Sequence, residues 1–213
     1  MRGSHRTKID LHGQLVFFLR MPVKFIFLRH GEATHNVAFH LEGPSAFSKD
    51  EYKDAPLTQK GIDQAKEAGT ALASLKILDI WSSPLSRCIH TAQEVFEEVN
   101  ATSLYLHDHL LERQGGDTPC NERKCKSQIK YDYPIWDVKH LPDLPALWIR
   151  CEDSYTLRQR MYMFVMLLAD LYKDESDSSH VLLVSHSDAI AALTGKVLKN
   201  AEYVVLTLAE ILQ

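Results

Sequence analysis

Apolar and polar positions along this chain follow two different periods, and the switches between them mark the elements. Residues 24–29, Lys24-Phe25-Ile26-Phe27-Leu28-Arg29, are almost continuously apolar and stop at His30-Gly31, as a strand buried on both faces does. Leu57 and Thr58 supply a staple residue and an N-cap for a helix running to about Leu75, with Ile62, Ala65, Ala68, Gly69 and Leu72 on one face. Residues 78–82 read as a short strand, after which Ser83-Pro84 opens a helix to about Val99 with proline in its first turn. A third short strand covers 104–106. Residues 42–56 and 111–145 are punctuated by Pro, Gly and polar side chains without a period, so both are expected to be irregular, the second as an excursion over the surface. The longest helical pattern runs from Ser154 to about Lys173, and its Met161, Met163 and Met166 are assigned to packing. Residues 181–184 form a fourth apolar strand ending at Ser185-His186-Ser187; a helix follows over 188–198, and 203–208 closes an edge of the sheet.

This alternation predicts a three-layer α/β/α sandwich with a mainly parallel, mixed central sheet and a site at the strands' carboxyl ends. The 213 residues fit one domain, taken as 23–213, with 1–22 set aside as a leader because it opens Met1-Arg2-Gly3-Ser4-His5. A composition 45% hydrophobic and 24% charged is that of an ordinary globular chain. The net charge of -4 argues against nucleic acid or an anionic membrane as partner. No stretch reaches the ~18 apolar residues of a membrane span. Cys88, Cys120, Cys125 and Cys151 make no Cys-x-x-Cys pair, so they are expected as reduced thiols in the cytoplasm, and a zinc site on Cys120 and Cys125 lacks a second pair.

The chemistry gathers after three strands: Arg29-His30-Gly31-Glu32 after the first, Arg87 in the helix after the second, and His186 after the fourth. Strand ends in an open α/β sheet share one crevice. Two arginines and two histidines there suit a dianionic group, because guanidinium forks match phosphate oxygens bidentately. Taken singly, His30 reads equally as a turn residue and Arg87 as a solvated helix residue. In His107-Asp108-His109 alternate strand positions let both imidazoles face one way, as metal ligands do, although a surface edge is the favoured reading. The acidic run 174–177 reads as a solvated turn. His35, His40 and His90 have no partner visible in sequence, and His35 lies near the site.

Arg29-His30-Gly31-Glu32 with Asn36, Leu57-Thr58 with Gly61 and Gln64, Ser82-Ser83-Pro84-Leu85-Ser86-Arg87 with Thr91-Ala92, Leu111-Glu112-Arg113, and Val184-Ser185-His186 together resemble the histidine phosphatase superfamily, or phosphoglycerate mutase-like family. The likeness spans about 25–208. Residues 112–148 look most like a fungal and plant phosphoglycerate mutase-like subgroup. The resemblance implies that His30 is the nucleophile, becoming phosphohistidine, that Arg29, Arg87 and His186 hold the phosphoryl oxygens, and that Glu112 is the proton donor. Asn36, Thr34 and Ser187 complete the implied substrate contacts. No metal or other cofactor is implied; the expected partner is a small phosphorylated substrate, with a homodimer left open. Such a nucleophile needs one ring nitrogen donating to a fixed acceptor and the other free, and the acid needs a carboxyl held neutral. Glu32, Glu152 and Asp117 are the alternative acids.

Three positions depart from the family pattern. Ala33-Thr34 replaces the Ser of many mutases, Ser187 stands where Gly usually follows the second histidine, and Cys151-Glu152-Asp153-Ser154 replaces Gly-Glu-Ser. Two other functions compete with hydrolysis. A mutase excludes water with an arginine- and proline-rich segment, which is not found after Glu112, and a non-catalytic binding protein would lack a nucleophile or clamp residue.

Overall fold

In the computed structural model, which describes residues 7–9, 15–17, 23–116, 118–144 and 152–213, the first strands, β1 (Thr7–Ile9) and β2 (Leu15–Phe17), pair antiparallel with each other. They fall in the stretch read as a leader. The main sheet is built from β3 (Lys24–Arg29), β4 (Lys76–Ser82), β5 (Ser103–Leu106), β6 (Ser179–Ser185) and β7 (Tyr203–Thr207), in the order β5-β4-β6-β3-β7. The first four in that order run parallel, and β7 closes the edge antiparallel to β3. Around it lie α1 (Thr34–Glu42), α2 (Gln59–Leu72), α3 (Ser86–Glu98), α4 (Lys126–Asp132), α5 (Ser154–Leu171), α6 (Ser187–Thr194) and the short α7 (Leu208–Ile211).

Alternation along the strands makes the layers. Phe25, Phe27, Val181 and Leu183 face one way and pack on Leu157, Met161, Phe164 and Leu168 of α5 and Ile190 and Leu193 of α6. Ile26, Leu28, Leu182 and Val184 face the other way and pack on Ala68 and Leu72 of α2 and Ile89, Ala92 and Val95 of α3. This is the three-layer α/β/α sandwich with a mixed sheet that the pattern predicts.

Several local expectations change. The helix after β4 starts at Ser86, not at Pro84; Leu85 is its extended N-cap residue, and Asp54 caps it from outside, accepting from Ser86 N at 2.8 Å and Ser86 Oγ at 2.6 Å. No local rule reveals a cap supplied from 32 residues away. Helix α1 was not anticipated, because Val37, Phe39 and Leu41 are exposed and the segment has no single apolar face. The 111–145 stretch is no mere surface excursion: Cys120, Ile129, Tyr133, Trp136, Val138 and Leu141 are buried. Arg123 ties it down, with a bidentate pair to Asp108 (2.8 and 3.0 Å) and bonds to the carbonyls of Pro142 and Leu144.

On α5, Met161 is buried as expected, but Met163 is 63% exposed, so packing does not explain it. His107 and His109 follow β5, an edge strand of the sheet, but are half-buried; their rings lie 4.4 and 5.9 Å from Phe164, and burial lowers the His107 pKa to about 3. Cys88, Cys120 and Cys125 are free thiols, while Cys151, Trp148 and Asp117 lie outside the described residues. Among the described residues no helix is long and apolar enough to cross a membrane, and no group of three or more His, Cys, Asp or Glu is arranged to hold a metal.

One contact fixes where the β3 loop can go. A Cβ on Gly31 would meet the Gly61 carbonyl oxygen at 2.3 Å, and one on Gly61 would meet the Glu32 carbonyl oxygen at 2.0 Å. Thr58, the expected N-cap of α2, accepts from Gly61 N at 3.1 Å and donates to Glu32 Oε1 at 3.0 Å, so the helix start and the loop are clasped together. Helix propensity alone favours Ala at position 61 by about 1 kcal/mol, yet backbone against backbone cannot yield cheaply. Gly61→Ala is therefore expected to lower the urea midpoint by the equivalent of roughly 1–3 kcal/mol; a midpoint at or above wild type would show that the loop yields freely.

Candidate active site

Strand register brings the two histidines together. Because Arg29 pairs with Ser185 between β3 and β6, His30 and His186 each stand one residue past neighbouring strand ends, with ring centroids 5.1 Å apart. On the other side of β6, Ser82 pairs with Val184, which sets Ser83 level with Ser185, one residue before His186; Ser83 Oγ lies 2.8 Å from His186 Nε2. Arg87 enters from the second position of α3 and is 1% exposed. Thr91 links that helix to the His30-Gly31 turn, accepting from Gly31 N at 3.0 Å and donating to the Arg87 carbonyl at 2.7 Å.

His30 is buried, and its Nδ1 lies 2.7 Å from the Gly31 carbonyl oxygen. A carbonyl can only accept, so Nδ1 carries the proton and Nε2 keeps its lone pair. Burial, then the charges of Arg87, His35 and Arg29, push the His30 pKa well below the usual imidazole range. His186 is likewise held neutral, by burial and then Arg87. Cys88 Sγ is 3.5 Å from His186 Nε2, and burial pushes that thiol's pKa up, leaving a protonated, unreactive group.

The arginines are held by carbonyls rather than acids. Arg29 Nη1 donates to the Leu198 carbonyl at 2.8 Å. Arg87 Nη1 donates to the Cys120 carbonyl at 2.7 Å and its Nη2 to Asn121 Oδ1 at 2.9 Å. The Nε atoms of both are buried without a hydrogen-bond partner among the described residues.

Glu112 follows β5 through the 3-10 turn Asp108–Leu110. Its Oε1 accepts from the backbone N–H groups of Arg113 (2.8 Å) and Ala189 (3.1 Å), the latter in the first turn of α6. Burial outweighs these bonds and raises its pKa above the usual carboxyl value. The loop that carries it hangs on Arg160, which donates to the carbonyls of His109, Leu111 and Glu112 while pairing bidentately with Glu152 at 2.8 Å. Of the alternative acids, Glu152 is thus bound to Arg160, and Glu32 to Thr58 and Lys60.

The remaining expected residues have simpler positions. Thr34 is the first residue of α1 and its N–H donates to the Pro56 carbonyl at 3.0 Å. Ser187 is the first residue of α6. Asn36 Oδ1 accepts from Ala33 N at 3.0 Å and from Asn200 Nδ2 at 3.4 Å, and Asn200 also donates to the His30 carbonyl at 3.2 Å. His35 is 5% exposed, its ring 5.9 Å from that of His30. Sequence reasoning missed Asp54, Asn121 and Asn200 altogether; of these only Asn200 had a local signal, as a turn residue.

Such a site can grip a dianion with two guanidinium groups beside a neutral imidazole and a carboxyl whose pKa burial raises. Comparison with known proteins agrees in kind. A probable phosphoglycerate mutase of Arthroderma benhamiae is 28% identical over 218 residues, covering 90% of this chain and 62% of its own length. A probable phosphatase of Schizosaccharomyces pombe is 24% identical over 176 residues, covering 83% of this chain and 57% of its own; the chain thus spans about three fifths of the length of these curated relatives. The solved structure of the Bombix mori ecdysone phosphate phosphatase in complex with tungstate shares the fold, with a TM-score of 0.64 at 16% identity over 86% of this chain and 88% of that one. The sequence profile of the histidine phosphatase superfamily (branch 1) matches residues 25–204, and the chain belongs to that family.

Proposed function

We propose that this chain is a phosphatase that hydrolyses a small phosphomonoester through a phosphohistidine on His30. The observation that carries the reading is the His30 tautomer: Nδ1–H donates to Gly31, so the unprotonated Nε2 is the ring atom left to attack. In the first step Nε2 bonds to phosphorus as the ester P–O bond breaks, and Glu112 gives its proton to the departing alkoxide. In the second, the Glu112 carboxylate takes a proton from water, whose oxygen bonds to phosphorus as the P–N bond returns its electron pair to His30. Arg29, Arg87 and His186, with Asn36, Thr34 and Ser187 further out, hold the phosphoryl oxygens, whose charge is what the transition state asks the protein to meet. We place the enzyme in the cytoplasm, with its domain at 23–213.

A phosphoglycerate mutase is the second reading, since the Arthroderma benhamiae relative carries that name. It is disfavoured because no arginine- and proline-rich segment follows Glu112. Incubation with a phosphoglycerate separates the two: a mutase yields the isomer, a phosphatase inorganic phosphate.

His30→Ala should fold and lose about a hundredfold or more of its turnover, and brief mixing of wild type with a labelled phosphomonoester should leave acid-labile, base-stable phosphate on the protein. Residual activity above roughly a tenth of wild type, or label on Ser or Asp, would remove His30 as nucleophile.

Glu112→Gln keeps shape and removes the transferable proton. Its loss should be about a hundredfold or more for an alkyl phosphate and much smaller for an activated aryl phosphate, whose phenolate departs unaided. Equal losses would assign Glu112 to holding the loop. The pH profile follows the same logic: the protonated acid is the active form, so alkyl phosphate turnover should fall as pH rises through the raised Glu112 pKa, while the lowered His30 pKa keeps the nucleophile neutral on the acid side.

Turnover should also survive exhaustive chelation, because Arg29 and Arg87 supply cationic charge at the phosphoryl site. Loss with EDTA, restored by added metal, would overturn this.

A further inference from the structure

The strongest unassigned feature is a donor that has nowhere to donate. The Asn36 amide is oriented by two N–H groups, Ala33 N at 3.0 Å and Asn200 Nδ2 at 3.4 Å, that both reach its Oδ1. Its Nδ2, 3.1 Å from His35 Nε2, is therefore a donor, and His35 Nε2 must accept. That fixes the proton of His35 on Nδ1. Nδ1 is buried without a hydrogen-bond partner among the described residues, on a residue 5% exposed, and an unmade bond of this kind is costly. The His35 ring lies 5.9 Å from that of His30, and Arg29 Nε and Arg87 Nε are likewise donors without a partner among the described residues. Ionisation offers no relief, since burial lowers the His35 pKa to about 2 and the ring stays a single-proton donor.

We infer that His35 is a further phosphoryl ligand, its Nδ1–H donating to a nonbridging oxygen of the group held against His30. Asn36 then acts through it as a positioning residue, using one amide proton to set the His35 tautomer. This rests on the phosphoryl-site reading of His30 and adds a neutral donor to the two guanidinium groups. A neutral donor adds to the grip without bringing a third positive charge to the site. A lone histidine in the motif gives no sign of this role; it needs the amide orientation and the register of Asn200.

The test uses the whole chain and orthovanadate as a phosphoryl mimic. His35→Phe keeps the ring and removes the donor, while His35→Asn returns an N–H near the Nδ1 position; both leave Asn36 Nδ2 without its acceptor, so their difference reports Nδ1–H alone. His35→Phe should bind vanadate about 10- to 100-fold more weakly than wild type and lose kcat/KM equally on alkyl and aryl phosphates, with His35→Asn recovering most of both. Unchanged vanadate affinity in His35→Phe, or equal weakening in the two variants, would overturn the assignment. Should either variant fail to fold, the wild-type protein still decides: vanadate should move the His35 Nδ1–H proton resonance downfield, and a resonance that stays put removes the bond. A wild type that neither binds vanadate nor hydrolyses any phosphomonoester would instead remove the underlying reading of His30.

Discussion

Guanidinium groups buried without a facing carboxylate are the constraint on which the site depends. Taking a cation out of water costs several kcal/mol, and two of this protein's buried arginines meet that cost with an acid: Arg123 has Asp108 and Arg160 has Glu152, each bidentate. Arg29 and Arg87 do not. Their hydrogen-bond acceptors among the described residues are the Leu198 and Cys120 carbonyls and the Asn121 amide oxygen, which orient a guanidinium without cancelling its charge. The uncancelled charge has a second effect, because it adds to burial in holding His30 and His186 neutral. One arrangement thus attracts an anion and keeps the imidazole facing it nucleophilic.

The two kinds of arginine are mechanically joined. Asn121 accepts from Arg87 and donates through Nδ2 to the Arg113 carbonyl at 3.3 Å, next to Glu112. Arg160 holds the carbonyls on the other side of Glu112. The neutralised pairs therefore act as rigging for the segment that carries the acid and orients the clamp, which is why 111–145 is packed and polar at once.

How far this could be read from sequence depends on the range of each interaction. Strands β3 and β6 and the Thr58 cap of α2 were legible because the burial period or the capping residue lies within a few positions. The convergence of His30, Arg87 and His186 follows once their strands are taken as parallel neighbours, whereas Glu112 was reached only through the family resemblance. Asp54 capping α3, Arg123 on Asp108 and Asn200 on Asn36 left no trace, since a polar pair 15 to 164 residues apart imposes no period on either partner. Helix α1 was hidden for the opposite reason: its apolar residues face outward, so it carries no buried stripe.

Two of the departures from the family pattern, Ser187 and Ala33, fall where the backbone makes no special demand. Ser187 replaces the usual glycine, but it occupies the first helical position of α6, a conformation any L residue adopts, and the preceding His186 is extended at φ -123. Ala33 is fully buried and extended, so losing a serine there removes a hydroxyl without disturbing the turn. In the third, Glu152 pairs with Arg160 and Asp153 is the N-cap of α5, accepting from Thr156 N at 2.8 Å. Gly31 and Gly61 are different, because each lies where a single carbon atom would meet a carbonyl oxygen of the facing backbone. What the fold requires at this site is therefore close approach of the β3 loop to the start of α2, and the side chains around it can vary so long as that approach is kept.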